Sequence, residues 1–243
     1  MPGFANSTGR LLCGAFFAAA CFAQSDIVPL PRFGLGVKLS TLGAGIEAAT
    51  AVTRKSNLRG GFNAFTYGTD LTKDGIGYSG ELRLRSVDVL YDQYLVGPLH
   101  VSPGVLIYNG NRGTATASVP GGQSFSLGGN TFYSSAAHPV AGNGTLNLGT
   151  VSPMLLFGVG NLLPRNSRHF AVNFEAGVIF QRPPKATLNL AGSTCNSTGT
   201  TCLPIASNPV VQSSIQSEQT KINNDVNFFK YYPILSLGFG YKF

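Results

Sequence analysis

Charged residues are scarce in this 243-residue chain. Asp, Glu, Lys and Arg together make up 11% of it, against roughly 25% in an average soluble domain. The 17 basic residues give a net charge of +7 but form no run and no basic face, which argues against nucleic-acid binding. Disorder is also excluded, because 43% of the residues are hydrophobic and disordered chains lack apolar residues to bury.

Long apolar runs are missing as well. The stretch from Leu11 to Phe22 is too short to cross a bilayer as a helix, and no later segment is long and apolar enough. With Arg10 in front and a small-x-small pattern at 21–23, it predicts a secretory signal peptide over residues 1–23. Residues 24–243 would then form one exported domain. The alternative is a lipoprotein acylated at Cys21.

Cysteines are few once the signal peptide is removed. Only Cys195 and Cys202 remain, separated by six polar residues. A metal site would need further Cys or His ligands nearby, and the sequence offers none there. Because exported proteins meet an oxidising compartment, we expect a disulfide that closes a short polar loop. No metal and no cofactor is expected.

What the chain does have is alternation of apolar with small or polar residues. In its last eleven residues, Leu235, Leu237, Phe239, Tyr241 and Phe243 alternate with small or charged ones, and a strand repeats every two residues. Similar segments lie at 33–40, 44–52, 57–67, 79–91, 99–108, 151–160, 170–180 and 233–243. Their lengths suit strands that cross an outer membrane. The sequence therefore predicts an all-β fold, an eight-stranded antiparallel up-and-down transmembrane β-barrel.

The connections between these segments alternate in length. Those after the second, fourth and sixth segments are short and those after the third, fifth and seventh are long, as periplasmic turns and outer loops are. The Ser/Thr/Gly/Asn-rich stretches 112–149 and 191–214 read as solvated loops. In the last outer loop, apolar residues at helical spacing predict a short helix over 213–229, capped by Ser213 or Ser214. A polar loop is the alternative.

The interior of an eight-stranded barrel is filled by side chains. We expect the charged residues on the polar faces of the strands to lie there. The expected inward charges, five cationic and three anionic, are Lys38, Glu47, Arg59, Glu81, Arg83, Arg85, Glu175 and Lys242. We expect them to pair, because an unpaired buried charge is costly. A turn centred between Leu42 and Gly43 would place Lys38 opposite Glu47. The alternative is a narrow, weakly anion-preferring pore.

The fourth segment departs from a regular pattern. Glu81, Arg83 and Arg85 alternate with leucines that would face outward, but Asp88 falls on the wrong side of this alternation. The sequence predicts a bulge or a change of register there.

The closing segment resembles the C-terminal strand signature of bacterial outer-membrane β-barrels, with Phe239, Tyr241 and Phe243 as the assembly signal. Further blocks resemble an uncharacterised group of small bacterial outer-membrane barrel proteins; they lie at 37–43, 58–65 and 91–94, at Gly104 with 108–111, and at 232–243. The resemblance implies an eight-stranded barrel in the outer membrane. Its expected partners are outer-membrane lipid, lipopolysaccharide and the barrel-assembly machinery. It brings no catalytic residues, and we expect a monomer.

Enzymatic chemistry has little support. Of the three histidines, His100 and His169 fall at the ends of short turns, and His138 lies in an outer loop near Ser134 and Ser135 without a recognisable catalytic spacing. We therefore expect no enzyme, and a structural or surface-interaction role for a barrel with a filled interior. The alternative is a narrow channel for small anionic or hydrophobic solutes, the latter passing through wall interruptions at Pro103 and Pro153.

Overall fold

The computed structural model describes residues 33–73, 75–166 and 168–243. The predicted signal peptide and the acylation alternative at Cys21 lie outside the described residues. The described chain is mostly antiparallel β-structure with one α-helix, as the alternation predicts.

Fifteen strands and the helix are numbered in chain order. The strands are β1 Gly34–Ser40, β2 Gly43–Thr53, β3 Ser56–Lys73, β4 Ile76–Val96, β5 Leu99–Asn109, β6 Arg112–Val119, β7 Ser124–Leu127, β8 Asn130–Ser134, β9 Val140–Asn147, β10 Ser152–Gly160, β11 Phe170–Phe180, β12 Lys185–Ala191, β13 Ser193–Cys195, β14 Cys202–Pro204 and β15 Tyr231–Lys242. The helix α1 spans Pro209–Asp225.

Eight of these strands form a closed ring of antiparallel ladders. The order is β1, β2, β3, β4, β5, β10, β11 and β15, and β15 pairs again with β1. A sheet that closes on itself is a barrel. Each ring strand coincides with one of the eight predicted segments, within a few residues at most ends.

The large sheet nevertheless has eleven strands, more than predicted. The extra strands β6, β9 and β12 continue ring strands past one end of the ring. β6 follows β5 after two residues, and both pair with β4. In the same way β9 leads into β10, and β12 follows β11. Together with the outer ends of β3 and β4 they form what we call the extension sheet, in the order β12-β9-β6-β4-β3.

The prediction that 112–149 and 191–214 are loops is wrong. Besides the extension sheet, the chain forms a second, four-stranded sheet in the order β14-β13-β8-β7. Strands β6 to β9, β13 and β14 lie in these stretches. In β6 the alternation is only between small residues, so it does not predict a strand: Thr114, Thr116 and Ser118 share one face of β6, while Ala115 and Ala117 share the other. One face of such a strand meets water, so it lacks the large apolar residues of a ring strand.

The predicted helix is present but starts four residues earlier. Asn208 is its N-cap, accepting hydrogen bonds from the backbone N–H groups of Val210 and Val211, so the predicted caps Ser213 and Ser214 lie inside it. The helix packs on β12 and β7. The buried core there comprises Ile76, Val119, Leu127, Val140, Ile205, Val211 and Ile215. No described helix has the length and apolar character needed to cross a membrane.

The first hairpin turns one residue earlier than predicted. Ser40 pairs with Gly43, so Lys38 lies opposite Gly45, and Glu47 lies opposite Gly36. The expected direct pairing of Lys38 with Glu47 is therefore wrong, because moving a turn centre by one residue shifts the register by two. Gly43 has φ +108°, a conformation that favours glycine, and an added Cβ would meet Ala64 O at 2.6 Å.

Candidate functional site

The centre of the ring holds a buried ion cluster around Arg59. Its guanidinium makes two hydrogen bonds to the Glu175 carboxylate, one from each terminal nitrogen. It also contacts Glu47 at 3.1 Å and Asp92 at 3.0 Å. All four side chains are at most 3% exposed. One cation thus holds together three carboxylates contributed by three other strands.

His100 extends this cluster. Its Nε2 lies 3.1 Å from Glu175 Oε1, and the Ser102 hydroxyl donates to Asp92 at 2.7 Å. The sequence placed His100 at the end of a turn and did not single out Asp92. Both side chains face the interior, and both are buried. The sequence does contain a pattern that predicts an inward-facing Asp92, because Ser86, Asp88 and Asp92 recur at even spacings along β4.

Within the described residues, Asp92, His100 and Glu175 form a set that could hold a metal ion, with ligand atoms within 4.8 Å of one another. Arg59 contacts both of the carboxylates in this set. A permanent guanidinium therefore already supplies the positive charge that a metal would bring.

A second buried pair lies beside the cluster. Lys38 Nζ binds both Asp88 oxygens, at 3.1 and 3.0 Å, and the Asn63 amide donates to Asp88 at 2.7 Å. The predicted change of register is present at this point: the pairing of β4 with β5 shifts between Val87 and Asp88. Asp88 nevertheless keeps to the inner face of β4. Ser86, Asp88 and Asp92 all face inward.

The other charges predicted on β4 point the opposite way. Arg85 is exposed on the outer face, and Arg83 and Glu81 bind each other at 2.9 Å while remaining partly exposed. Their predicted inward orientation is wrong. The prediction assumed that leucines face outward along the whole strand, whereas Leu84 and Leu90 are buried.

Lys242 lies at the rim rather than in the cluster. Its Nζ donates to the backbone carbonyls of Pro164 and Asn166. Nearby, Arg165 donates to the Thr53 carbonyl at 3.0 Å and to Asn57 Oδ1 at 2.6 Å. These bonds hold the turn after β10 against the end of the ring.

Glycines make room for the buried charges. A Cβ on Gly158 would lie 2.5 Å from His100 Nε2, and one on Gly61 would lie 2.6 Å from Lys38 Nζ. Both distances are shorter than real contacts, so a larger residue at either position would displace the charged groups.

Apolar side chains close the interior on both sides of these charges. At the end next to the extension sheet lies a buried cluster of Leu42, Leu90, Leu106, Met154, Leu156, Ile179 and Ile234. At the other end Leu162 and Leu163 are buried against Ala49. A Cβ on Gly36 would lie 2.7 Å from Leu162, and one on Gly34 equally close to Leu163. The turn after β10 thus folds into the mouth of the ring.

The buried charges of the ring do not match the predicted positive surplus. Four carboxylates, of Glu47, Asp88, Asp92 and Glu175, are buried with only two permanent cations, Lys38 and Arg59. The interior described by the structure therefore has a surplus of acidic groups.

The outside of the ring is apolar. Exposed large side chains include Leu35, Val37, Ile46, Leu58, Phe62, Phe157, Val172, Phe174, Leu235, Leu237 and Phe239. The predicted assembly residues lie here: Phe239, Tyr241 and Phe243 are exposed by 53%, 38% and 67%. Tyr241 and Phe243 pack edge to face at 5.1 Å, and Phe243 stacks on Phe33 at 6.2 Å. Aromatic rings thus gather at the end of the ring away from the extension sheet.

The remaining predicted residues lie in or beside the four-stranded sheet of β14, β13, β8 and β7. Cys195 and Cys202 form the predicted disulfide, which joins β13 to β14. Ser134 is buried, and its hydroxyl donates to the Val119 carbonyl and accepts from the Val140 N–H. Ser135 accepts from the backbone N–H of His138, whose own side chain is exposed. These hydroxyls hold the backbone of the loop together.

Comparison with known proteins gives structural matches only. No family model matches the chain, and no curated protein sequence does. The crystal structure of Acinetobacter baumannii CarO2 is similar, with 21% identity and a TM-score of 0.55, over 88% of this chain and 99% of that one. Acinetobacter baumannii CarO is similar at 22% identity and a TM-score of 0.52, over 86% of this chain and 97% of that one. At such identities the likeness establishes a shared fold and nothing about activity.

Proposed function

We propose that the protein is an integral outer-membrane β-barrel with a structural or surface-interaction role. Its ring would cross the bilayer as a closed wall and carry the extension sheet on the outer side. The observation that supports this most is the reversed polarity of the ring. Charged groups such as Arg59 and Glu175 are buried inside, while Leu237 and Phe239 are exposed outside. Water does not favour such an arrangement, but a lipid environment does.

The height of the apolar outer surface supports the same proposal. On β15, alternate residues from Tyr231 to Tyr241 face outward. At about 3.3 Å per residue these ten steps cover about 33 Å along the strand. With a strand tilt of about 40°, the surface is about 25 Å tall, which matches the apolar band of outer-membrane barrels. The aromatic cluster around Tyr241 would lie at the periplasmic interface.

The filled interior supports a closed wall over the channel alternative. The ion cluster lies between two apolar layers, so no row of solvated charges runs through the described ring. The acidic surplus also disfavours anions. Passage through the wall has little support, because β5 and β10 stay in register from Leu99 to Leu106, past both Pro103 and Pro153.

The positions of individual residues support the remaining parts of the proposal, which concern assembly, surrounding lipid and chemistry. The exposed aromatics Phe239 and Phe243 are where the barrel-assembly machinery would read the last strand. Outer-membrane lipid would surround the ring of a monomer. We propose no catalysis and no cofactor: Arg59 supplies the charge that a metal would bring, and the hydroxyl of Ser134 is engaged with the backbone.

The test is to refold the purified protein in detergent and compare its electrophoretic mobility with and without heating. We expect a heat-modifiable band, and no steady conductance steps in a planar bilayer. A protein soluble without detergent would contradict the membrane placement. Steady anion-selective steps would contradict the closed wall while leaving the barrel intact.

A further inference from the structure

A row of basic residues crosses the outer face of the extension sheet. Directly paired residues share a face of a sheet, and Arg83 pairs with Arg112, Arg112 with Asn147, and Asn147 with Lys185. Arg85 lies on the same face of β4, one step nearer the ring. Arg85, Arg112 and Lys185 are exposed, and Arg83 is partly exposed. Three strands, β4, β6 and β12, thus contribute cations to one basic row, and β9 contributes Asn147 between them.

The basic row lies next to the apolar surface of the ring. After Arg83 and Arg85, the next outward residues of β4 are Val87 and Val89. Val87 lies four residue steps from Arg83, or about 13 Å along the strand. If the ring spans the bilayer, these cations lie at the level of the lipid headgroups.

The positive charge of this row is only partly balanced. In the described parts of the chain, Arg83 is the only one of the four cations with an ion pair, which it forms with Glu81 at 2.9 Å. Asp70 also lies on this face, since it pairs with Ser79. Four cations against two carboxylates leave an excess of two positive charges.

Farther from the ring the same face carries hydroxyl and amide groups. One row of paired residues runs through Ser79, Thr116, Asn143 and Asn189, and the row between it and the cations runs through Glu81, Thr114, Thr145 and Thr187. Residues of all five strands, among them Asp70, Ser79 and Thr116, line a shallow groove of about 740 Å³. Such groups match the hydroxyls of a saccharide.

We propose that this face binds a phosphorylated glycolipid of the outer leaflet. Three zones follow one another along β4: apolar residues on the ring, the basic row, and the hydroxyl and amide rows. They match the order of acyl chains, phosphates and sugars in such a lipid. A wholly water-soluble anion would not need the basic row to adjoin an apolar surface. The inference rests on the proposed membrane placement and deepens it by naming the lipid class.

The test uses the triple variant Arg85→Gln, Arg112→Gln, Lys185→Gln, which leaves the Glu81–Arg83 pair intact. The matched control is Lys55→Gln, Lys73→Gln, Lys221→Gln, which removes the same charge from exposed positions outside the row. Binding of bis-phosphorylated lipid A to each detergent-purified protein is measured by native mass spectrometry, with dephosphorylated lipid A alongside. We expect the triple variant to bind at least about tenfold more weakly than wild type, because each basic residue near a headgroup contributes to the attraction. The control should bind as wild type does.

Equal binding by the triple variant, or equal binding of the dephosphorylated lipid by wild type, would overturn the proposal. So would displacement of the lipid by inorganic phosphate at the same concentration, because the site would then be a plain anion site. Heat modifiability is measured on every variant. A wild-type protein with no heat-modifiable band would refute the membrane placement itself, whereas a folded barrel without lipid preference would refute only this inference.

Discussion

Strand β4 belongs to both the ring and the extension sheet, and its two halves have opposite polarity. In the half that belongs to the ring, Val87 and Val89 face outward while Asp88 and Asp92 face the interior. In the half that belongs to the extension sheet, Glu81 and Arg83 are on the outer face. On its other face Ile76 is buried in the core beneath α1.

The two halves share one continuous ladder with β3, so backbone pairing does not distinguish them. On the proposed function, lipid surrounds the ring half and water surrounds the extension, so the apolar face changes sides. The ring then buries charged groups that must be paired with one another, whereas the extension sheet has an ordinary apolar core under a helix.

The sharpest test of this difference removes the central cation of the ring. In Arg59→Met, three buried carboxylates lose their shared partner, and we expect a loss of about 3–5 kcal/mol in the free energy of unfolding. Urea unfolding in lipid vesicles, followed by the electrophoretic shift, measures it. The control is Arg85→Met on the outer face, which we expect to change stability by less than about 0.5 kcal/mol. Equal effects of the two substitutions would mean that the interior of the ring is as solvated as its outside.

The second buried pair provides a coupling test. Lys38→Met leaves Asp88 without its cation and Asp88→Asn leaves Lys38 without its anion, and we expect each to cost about 3 kcal/mol. The double variant should cost clearly less than the sum, because it leaves neither charge unpaired. The same cycle on Glu81 and Arg83, which are partly exposed, should give a coupling below about 1 kcal/mol. Comparable couplings in both cycles would contradict the contrast between ring and extension.

The sequence predicts the ring better than it predicts the extension sheet. The sequence predicts the ring strands to within a few residues because their apolar outer face and polar inner face alternate strongly, and it places Lys38, Glu47, Arg59 and Glu175 inside on that basis. On β4 the assignment of faces failed, because alternation identifies a strand but not which medium each face meets. In the extension sheet the contrast between Thr116 and Ala115 is too small to register as alternation.

The disulfide should matter only outside the ring. Cys195 and Cys202 close a loop with a sequence separation of 7, for which chain entropy predicts about 2.5 kcal/mol. Their strands β13 and β14 belong to a separate four-stranded sheet, not to the ring. In the double variant Cys195→Ser, Cys202→Ser we expect faster amide exchange in these two strands and an unchanged unfolding midpoint for the ring. A lowered midpoint would show that the small sheet supports the ring.

The smallest expected effect is at the start of α1. Asn208→Ala removes the side chain that caps the N–H groups of Val210 and Val211, which should cost about 1 kcal/mol. Because the helix packs on β12 and β7 and the ring closes without it, the loss should appear as faster amide exchange in the first turn of α1. The ring's unfolding midpoint should stay constant, as it should in the control Asn224→Ala, which lies exposed in the same helix. If Asn208→Ala lowered the midpoint, ring and extension would unfold as one unit. The two halves of β4 would then differ in polarity while belonging to one cooperative structure. A substitution in the ion cluster would in that case also change the stability of the helix.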